Sequence, residues 1–290
     1  MTDPLIIPID SNTSFRSSYL DYYENSDKSY LVYLSNTNSH ILFFDLATKQ
    51  KTYEITYPEE GPGRITQIDA FKIINQDSVI VVSLNWNRGW LTDWEGNILN
   101  DFALKPDETN PYLWVDNFKR IDFIPPHYFI YNKAPYLKAN QPGFWDNPIT
   151  FIYNFDDQST KDVFTHKGKS ASKICAGAYI RYGFTVANDE LIYSFGLDDN
   201  IYVKSLSSGN VKNFYAGSDY CKEIPNMKVG IEDLEKRIFF NQNYAYRHII
   251  YDPFREVYYR FVLHPIPEED NADLLHGKPF SIIILLTLRS

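Results

Sequence analysis

The sequence contains few residues of several types whose abundance would indicate a particular class of protein. Its 290 residues include only 2 cysteines, 2 methionines and 13 glycines, and 37 acidic side chains outnumber 28 basic ones. The resulting formal charge of −9 argues against broad contact with phosphate backbones, which needs clustered lysine and arginine. It also disfavours docking on anionic lipid. We therefore predict no nucleic-acid partner.

The chain also lacks a long apolar run. The longest strongly apolar stretch, Ile282–Leu288, is far shorter than the roughly 20 residues that a membrane-spanning helix needs. Residues 1–28 do not combine a basic head, an apolar middle and a cleavage site, so we predict no export signal in the chain as given. A hydrophobic fraction of 44% is nevertheless enough to build a core, which argues against disorder.

Aromatic side chains are abundant. The 23 Tyr, 20 Phe and 5 Trp make up 17% of the chain, and such residues favour pleated, half-buried surfaces. Ser78–Ser83 is a β-branched run between polar residues, as expected of a buried strand. Helical spacing is confined to Ile231–Arg237 and Asp270–Leu275. We therefore predict an all-β fold.

A pair of strands joined by a polar turn recurs along the chain. The five pairs are 39–45 with 52–57, 89–92 with 98–104, 149–153 with 162–165, 201–205 with 211–215, and 247–251 with 256–263. Their turn centres are Thr48, Glu95, Asp157, Ser208 and Phe254, which lie 47, 62, 51 and 46 residues apart. Most pairs follow another strand pair, and four strands every 45–50 residues or so are typical of a β-propeller blade. An irregular β-sandwich, whose turns recur about every 8–12 residues, is the alternative.

The same spacing places a sixth turn beyond the last residue. Pro279–Leu285 has the pattern of the strand that leads into that turn, and Leu286–Ser290 contains no turn residues. We therefore predict a single six-bladed β-propeller domain over residues 1–290, with blades from about residue 29 and an incomplete last blade. Within the N-terminal segment 1–28, Leu5–Pro8 is a candidate ring-closing strand. An unclosed ring exposes a sheet edge, which would favour self-association.

Several segments resemble a known family. They are Glu60–Gly63, Ala70–Ile73 with Asp77–Val79, Arg181–Phe184 with Leu191–Phe195, and Ile250–Phe261, of which the last is the most distinctive. Over most of residues 28–285 the chain is similar to the uncharacterised six-bladed propellers of the domain of unknown function 4221 family. These are typical of Bacteroides-type bacteria and are often exported as lipoproteins.

The resemblance implies a propeller of the broad TolB-like and NHL-like class, located in the periplasm or anchored to the outer membrane. It transfers no catalytic residue, because the family has no established activity. The chain departs from the family at both ends. Residues 1–12 lack a lipidated cysteine, and family members continue after the equivalent of Leu285 with an acidic turn and further strands. The resemblance therefore implies that the chain is truncated at its C-terminus.

No catalytic or metal-binding motif is present. The six histidines are scattered singly, and the acidic clusters do not match the ligand ladder of a calcium loop. Cys175 and Cys221 lie 46 residues apart, without the close spacing that zinc ligation favours. We predict no metal, no cofactor and no catalytic residue. Whether the two cysteines form a disulfide or stay as free thiols is left open.

Two groups of residues are candidates for ligand binding. The first combines arginine, whose planar fork grips carboxylates and stacks on rings, with tyrosine. Its members are Arg181, Tyr182, Arg247, Tyr251, Arg255, Tyr258, Tyr259 and Arg260. The alternative role of this group is strand packing and hydrogen bonding between blades. The second group is Trp86 and Trp90 in a predicted rim loop, where an exposed indole would stack on a sugar ring and a buried one would fill a blade.

These observations favour a non-catalytic binding or scaffold propeller that holds a protein, peptide or carbohydrate ligand. The alternative is a propeller-fold hydrolase or lyase acting on a carbohydrate or a peptide. Such an enzyme requires carboxylates with shifted pKa values that converge on one site, and similarity of fold alone does not decide between the two classes.

Overall fold

The structure is a computed structural model that describes most of the chain. The described residues are 5–10, 13, 17, 19–35, 40–58, 60–61, 63–104, 112–113, 120–134, 146–165, 182–219, 233–266 and 283–289.

The strands form five sheets. The first contains β1 (Leu20–Glu24), β2 (Ser29–Ser35), β3 (His40–Asp45) and β4 (Gln50–Ile55). The second contains β5 (Ala70–Asn75), β6 (Ser78–Ser83), β7 (Arg88–Thr92) and β8 (Ile98–Ala103). The third contains β10 (Asp122–Ile124), β11 (Tyr128–Ala134), β12 (Pro148–Asn154) and β13 (Thr160–Thr165), with β9 (Tyr112–Leu113) paired to β11. The fourth contains β14 (Tyr182–Ala187), β15 (Glu190–Phe195), β16 (Asn200–Ser205) and β17 (Val211–Tyr215). The fifth contains β18 (Ala245–Asp252), β19 (Val257–Leu263) and β20 (Ile283–Arg289).

Four of the sheets have four consecutive strands paired in chain order, which is the strand pattern of a propeller blade. The all-β prediction is confirmed, and the arrangement is β-propeller-like. The described part of the chain contains these four sheets and a three-stranded fifth, so it does not show six blades.

The chain divides into two compact units. One unit comprises Met1–Asn117, Ile121–Lys133 and Ile152–Thr160, and the other comprises Phe118–Arg120, Ala134–Phe151 and Lys161–Ser290. The first and second sheets therefore belong to one unit, and the fourth and fifth sheets belong to the other. A single domain over the whole chain stays a prediction.

Turn chemistry explains the five predicted strand pairs, all of which the structure contains. In four of them the first strand ends in a side chain that accepts a backbone N–H from within the turn. These side chains are Asp45, Asn154, Ser205 and Asp252. The amide of Thr48, 2.9 Å from the Asp45 carboxylate, holds the pKa of Asp45 below its usual value. Such local bonds define where a hairpin turns, independently of the rest of the fold.

The two ends of the chain differ from the sequence-based expectation. The first sheet begins with β1, so it starts before residue 29, whereas described residues 5–10 form no strand and leave Leu5 and Ile6 exposed. At the other end, β20 pairs antiparallel with β19 from Ile283 opposite Leu263 to Arg289 opposite Val257. The backbone of this segment thus pairs with one edge of β19 and completes the fifth sheet. The sequence instead predicts that the segment begins a sixth blade.

The described residues contain one helix, α1 (Asp233–Gln242), where Ile231–Arg237 predicts a short one. The second predicted helix, Asp270–Leu275, lies outside the described residues. No helix in the described part of the chain is long and apolar enough to cross a membrane.

Candidate ligand-binding site

A groove of about 430 Å³ lies on the second sheet, and we call it the Trp86 groove. Three segments form it: the loop before β5, the turn between β6 and β7, and one face of β7 and β8. The lining residues that matter for its chemistry are Arg64, Gln67, Trp86, Arg88, Trp90 and Asp101.

Strand alternation explains why these side chains share a face. Arg88 and Trp90 are two residues apart on β7, and Trp90 lies opposite Asp101 of β8, so all three point the same way. Gly89, between them, faces the other side, where a Cβ atom would overlap the ring of Phe102. Phe102 in turn packs against three rings, those of Phe129, Tyr153 and Phe155. One face of the β7–β8 hairpin is therefore core, and the other is the groove.

The two tryptophans play different parts in the groove. Trp90 is only 8% exposed and belongs to the core beneath the groove, which is the role expected of a blade filler. Trp86, at the turn between β6 and β7, is 55% exposed. Of the two residues predicted to lie in a rim loop, Trp86 lies in a turn, whereas Trp90 lies on strand β7. Both line the groove, but only Trp86 offers an indole face to a ligand.

Hydrogen bonds fix the turn that carries Trp86. The carboxylate of Asp69 accepts the backbone N–H of Leu84 at 2.6 Å and the side-chain amide of Gln67 at 2.9 Å. The Gln67 carbonyl oxygen accepts from the Asn85 amide at 2.6 Å. Asn87 closes the turn with a positive φ of 45°, a conformation that asparagine tolerates. The groove is therefore held in shape without a ligand.

The charges in the groove are unevenly paired. The guanidinium of Arg88 forms an ion pair with Asp101, and both side chains are almost half exposed. Arg64 is also exposed, and no described carboxylate lies within ion-pair distance of it. Its loop is formed by Gly61 and Gly63, both at φ +86°, and leads into strand β5. A strand at this point excludes the phosphate cradle, which needs a following helix.

The arginine and tyrosine group contains a side chain with a different role. Arg260, on β19, is fully buried, and its guanidinium lies 3.5 Å from the centre of the Tyr246 ring. Its Nε donates to the Ser194 hydroxyl at 2.9 Å. The terminal nitrogens donate to five backbone carbonyls, those of Phe195, Asp198, Asp199, Asn200 and Ala216. Arg260 therefore closes the β15–β16 connection and is not accessible to a ligand.

Other members of this group also serve packing. Tyr182 is buried and donates its hydroxyl to the Ile149 carbonyl at 3.1 Å. The ring of Tyr251 packs on that of Tyr258, with centroids 5.0 Å apart, against a cluster that contains Ile249 and Ile192. These contacts fit the packing role that is the alternative for this group.

The remaining members are placed separately. Arg255 is exposed in the β18–β19 turn, where its guanidinium lies 2.6 Å from the Asp252 carboxylate, and this contact holds the pKa of Asp252 below its usual range. Arg247 and Tyr259 are partly buried. Arg181, Cys175 and Cys221 lie outside the described residues, as do Trp114 and Trp145.

Several carboxylates of the described sheets form ion pairs. The ammonium of Lys72 lies 3.4 Å from an oxygen of Asp21 and 3.3 Å from one of Asp122. Lys72 lies on β5, Asp21 on β1 and Asp122 on β10. Each of these strands comes first in the hydrogen-bonded order of its sheet, which is the second, the first and the third sheet, respectively. Among the described residues, no three histidine, cysteine or carboxylate side chains are grouped as metal ligands are.

Sequence reasoning identified the tryptophans of the groove but missed Arg64, Gln67 and Asp101. Each of these stands alone in its segment, outside any motif. Only the closeness of three segments in the folded sheet brings them together, and no signal in the sequence marks it.

Two solved structures are similar to this one. A crystal structure of a DUF4221 family member from Bacteroides vulgatus matches with a TM-score of 0.81 and 19% identity, covering 98% of this chain and 81% of that chain. A Bacteroides fragilis protein, described as a presumed exported protein, matches with a TM-score of 0.58 and 12% identity, covering 89% of this chain and 71% of that chain. At these identities the likeness shows the fold alone. No curated protein matches the chain. The model of the domain of unknown function DUF4221 matches residues 1–285, and the chain therefore belongs to the DUF4221 family.

Proposed function

We propose that the protein is a non-catalytic binding propeller of the bacterial cell envelope whose Trp86 groove holds a carbohydrate. The observation that carries the proposal is the indole of Trp86, which is 55% exposed beside polar side chains in a preformed groove. The groove volume of about 430 Å³ falls in the range of ligand sites, roughly 300–1,000 Å³.

The chemistry of the groove suits a sugar. One face of a sugar ring is apolar C–H surface, which packs on an indole, while its hydroxyls donate and accept hydrogen bonds. Asp101 supplies acceptors, and the guanidinium groups of Arg64 and Arg88 supply donors. The bonds of Asp69 hold the Trp86 turn in place before the ligand arrives, which reduces the entropy lost on binding.

The envelope location is supported by the relative described as a presumed exported protein and by the exported lipoproteins of the family that the sequence resembles. The blade-like sheets of the described residues support a propeller of the TolB-like and NHL-like class, with six blades as the expected complete ring. A protein or peptide ligand is the competing occupant of the same groove.

The observed carboxylates give less support to a hydrolase or a lyase. Glycoside hydrolysis requires two carboxyl groups in separate roles, one of them with a raised pKa. Asp21 and Asp122 share the ammonium of Lys72, and Asp101 pairs with Arg88. These carboxylates are thus observed in ion pairs with cations, and not as two carboxyl groups in separate roles.

The proposal is tested by calorimetric titration of the protein with a panel of soluble neutral and acidic polysaccharides. We expect at least one to bind, and we expect Trp86→Ala to lower its affinity by about tenfold or more, as for an aromatic hot spot. Circular dichroism should stay unchanged, because the exposed indole adds little to folding.

The matched control is Phe254→Ala. Phe254 is another exposed aromatic residue in a turn, at 70% exposure, and it does not line the groove. Its removal should leave affinity unchanged. The proposal fails if no polysaccharide binds or if Trp86→Ala binds as well as the wild type. A peptide that binds in a Trp86-dependent way would favour the competing occupant.

A further inference from the structure

We infer that the carbohydrate held by the Trp86 groove is an acidic one, whose sugar carboxylate is bound by Arg64. This inference rests on the proposed carbohydrate function and names the chemical class of its ligand. It is carried by one exposed guanidinium, which no described carboxylate pairs, in the same groove as an exposed indole.

Arg64 is the charge in the groove that the described residues do not neutralise. Arg88 is paired with Asp101, whereas no described carboxylate reaches Arg64. These three charges leave the lining with one excess positive charge in a chain of formal charge −9. A ligand carboxylate would complete the pairing, because the planar guanidinium fork matches the two oxygens of a carboxylate.

The backbone that carries Arg64 is fixed. Its N–H donates to the Gly61 carbonyl at 3.3 Å, and the next residue, Ile65, is buried and donates to the Pro58 carbonyl at 3.2 Å. Gly63, immediately before it, adopts a φ of +86°, a backbone conformation that residues with a side chain rarely adopt. The base of the arginine side chain is thus positioned by the loop on both sides.

The side-chain amide of Gln67, which also lines the groove, is already used. The Gln67 amide donates to Asp69 and its carbonyl oxygen accepts from Asn85, so both ends of this side chain serve the turn. Among the groove side chains, Arg64 is therefore the donor best placed to decide between a charged and a neutral sugar. Trp86 would bind the ring of either kind, since stacking does not depend on the carboxylate.

The test uses matched ligands that differ only in the carboxylate. Polygalacturonate, alginate and hyaluronan are each compared by calorimetric titration with their carboxyl-reduced forms, together with neutral polysaccharides. We expect an acidic member to bind about tenfold or more tightly than its reduced form, since hydrogen bonds to charged groups are the stronger ones. Raising the salt concentration should lower the affinity for the acidic form and leave the affinity for the reduced form unchanged.

Arg64→Gln should abolish this preference, because it lowers the affinity for the acidic form much more than the affinity for the reduced form. Arg64→Lys, which keeps the charge but loses the fork, should retain part of it. The control variant Arg255→Gln removes an exposed arginine that does not line the groove. It should change neither the affinity for the acidic form nor the affinity for the reduced form. Equal binding of acidic and reduced forms, or an unchanged preference in Arg64→Gln, overturns the inference while the carbohydrate function stands. Failure of every polysaccharide to bind overturns both.

Discussion

Arg260 shows how much one side chain can contribute to this fold. Charged residues are rarely buried without partners, because removing a charge from water is costly. Arg260 is nevertheless 0% exposed, and backbone carbonyls, a serine hydroxyl and the face of Tyr246 surround its guanidinium. The five carbonyls gain a donor that water would otherwise have to supply.

We predict that Arg260→Lys lowers the free energy of unfolding by about 3–5 kcal/mol, comparable to breaking a buried ionic network. Lysine has one ammonium with three donors and no planar fork, so several of the carbonyls lose their partner. Urea denaturation followed by circular dichroism measures the change.

Arg255→Lys is the control at the residue scale. Arg255 lies on the same hairpin but is exposed in its turn, so we expect a change within about 0.5 kcal/mol. Equal losses in the two variants would show that the carbonyl contacts of Arg260 do not contribute the stability assigned to them.

Residue roles were only partly predictable from the sequence. The sequence singles out Trp86 and Trp90 because they lie close together in one polar segment, and both line the groove although Trp90 lies on strand β7. The sequence left open whether Arg260 binds a ligand or forms hydrogen bonds between blades, because the carbonyls that decide its role lie 44 to 65 residues earlier in the chain. Arg64 has no signal in the sequence, because an exposed arginine in a glycine-containing loop is common. Only the fold brings it into one groove with Trp86.

At the scale of elements, the hairpin turns determine how neighbouring sheets meet. The turn between β7 and β8 contains Gly96 at φ +85°, and a Cβ atom there would overlap the carbonyl oxygen of Thr56, just after β4. Both the backbone conformation and the close approach therefore require glycine at this position.

We predict that Gly96→Ala lowers the free energy of unfolding by more than Gly209→Ala does. Gly209 has a similar φ of +72° in the β16–β17 turn, but nothing lies within 4 Å of its added Cβ. Gly209→Ala should therefore lower the free energy of unfolding by about 1–2 kcal/mol, because alanine disfavours the left-handed backbone conformation at this position. Gly96→Ala adds displacement of a backbone carbonyl, which should raise the loss by a further 1–3 kcal/mol or so.

Thermal and urea unfolding of both variants measure this difference. Equal losses would mean that the turn moves away from Thr56 without cost, and that the close approach is incidental to the way these two sheets pack.

Elements defined by local chemistry were the ones that the sequence predicted. The turn after Asp45 and the turn after Asp252 are set by side chains that bond to amides within three residues. The pairing of β20 with β19 spans a long connection, and β1 has few apolar residues, so neither leaves a comparable local signal.

At the scale of the whole molecule, buried tyrosines link stability to alkaline pH. Burial raises the pKa of Tyr57, Tyr193 and Tyr202 above the usual value near 10, because an ionised phenol would lose its hydration. In the unfolded chain these phenols ionise at their ordinary pKa. Their contribution to stability is therefore fully present below about pH 10 and is lost as the pH rises towards the folded pKa values.

We predict that the urea midpoint is constant between about pH 7 and 9 and falls steadily above about pH 10. Absorbance at 295 nm should show exposed tyrosines ionising first and the buried ones only as the near-ultraviolet circular dichroism disappears. Ionisation of all tyrosines near pH 10 in a still-folded protein would contradict the prediction.

The contacts of Arg260 also impose an order on events during synthesis. The carbonyls of Phe195, Asp198 and Asn200 precede Arg260 by 60 to 65 residues. A ribosome adds that length in roughly 3–12 s at about 5–20 residues per second. During this interval the β15–β16 connection lacks the hydrogen bonds that Arg260 donates to it in the folded protein. Translation speed over residues 200–260 thus sets how long the β15–β16 connection is without the contacts of Arg260.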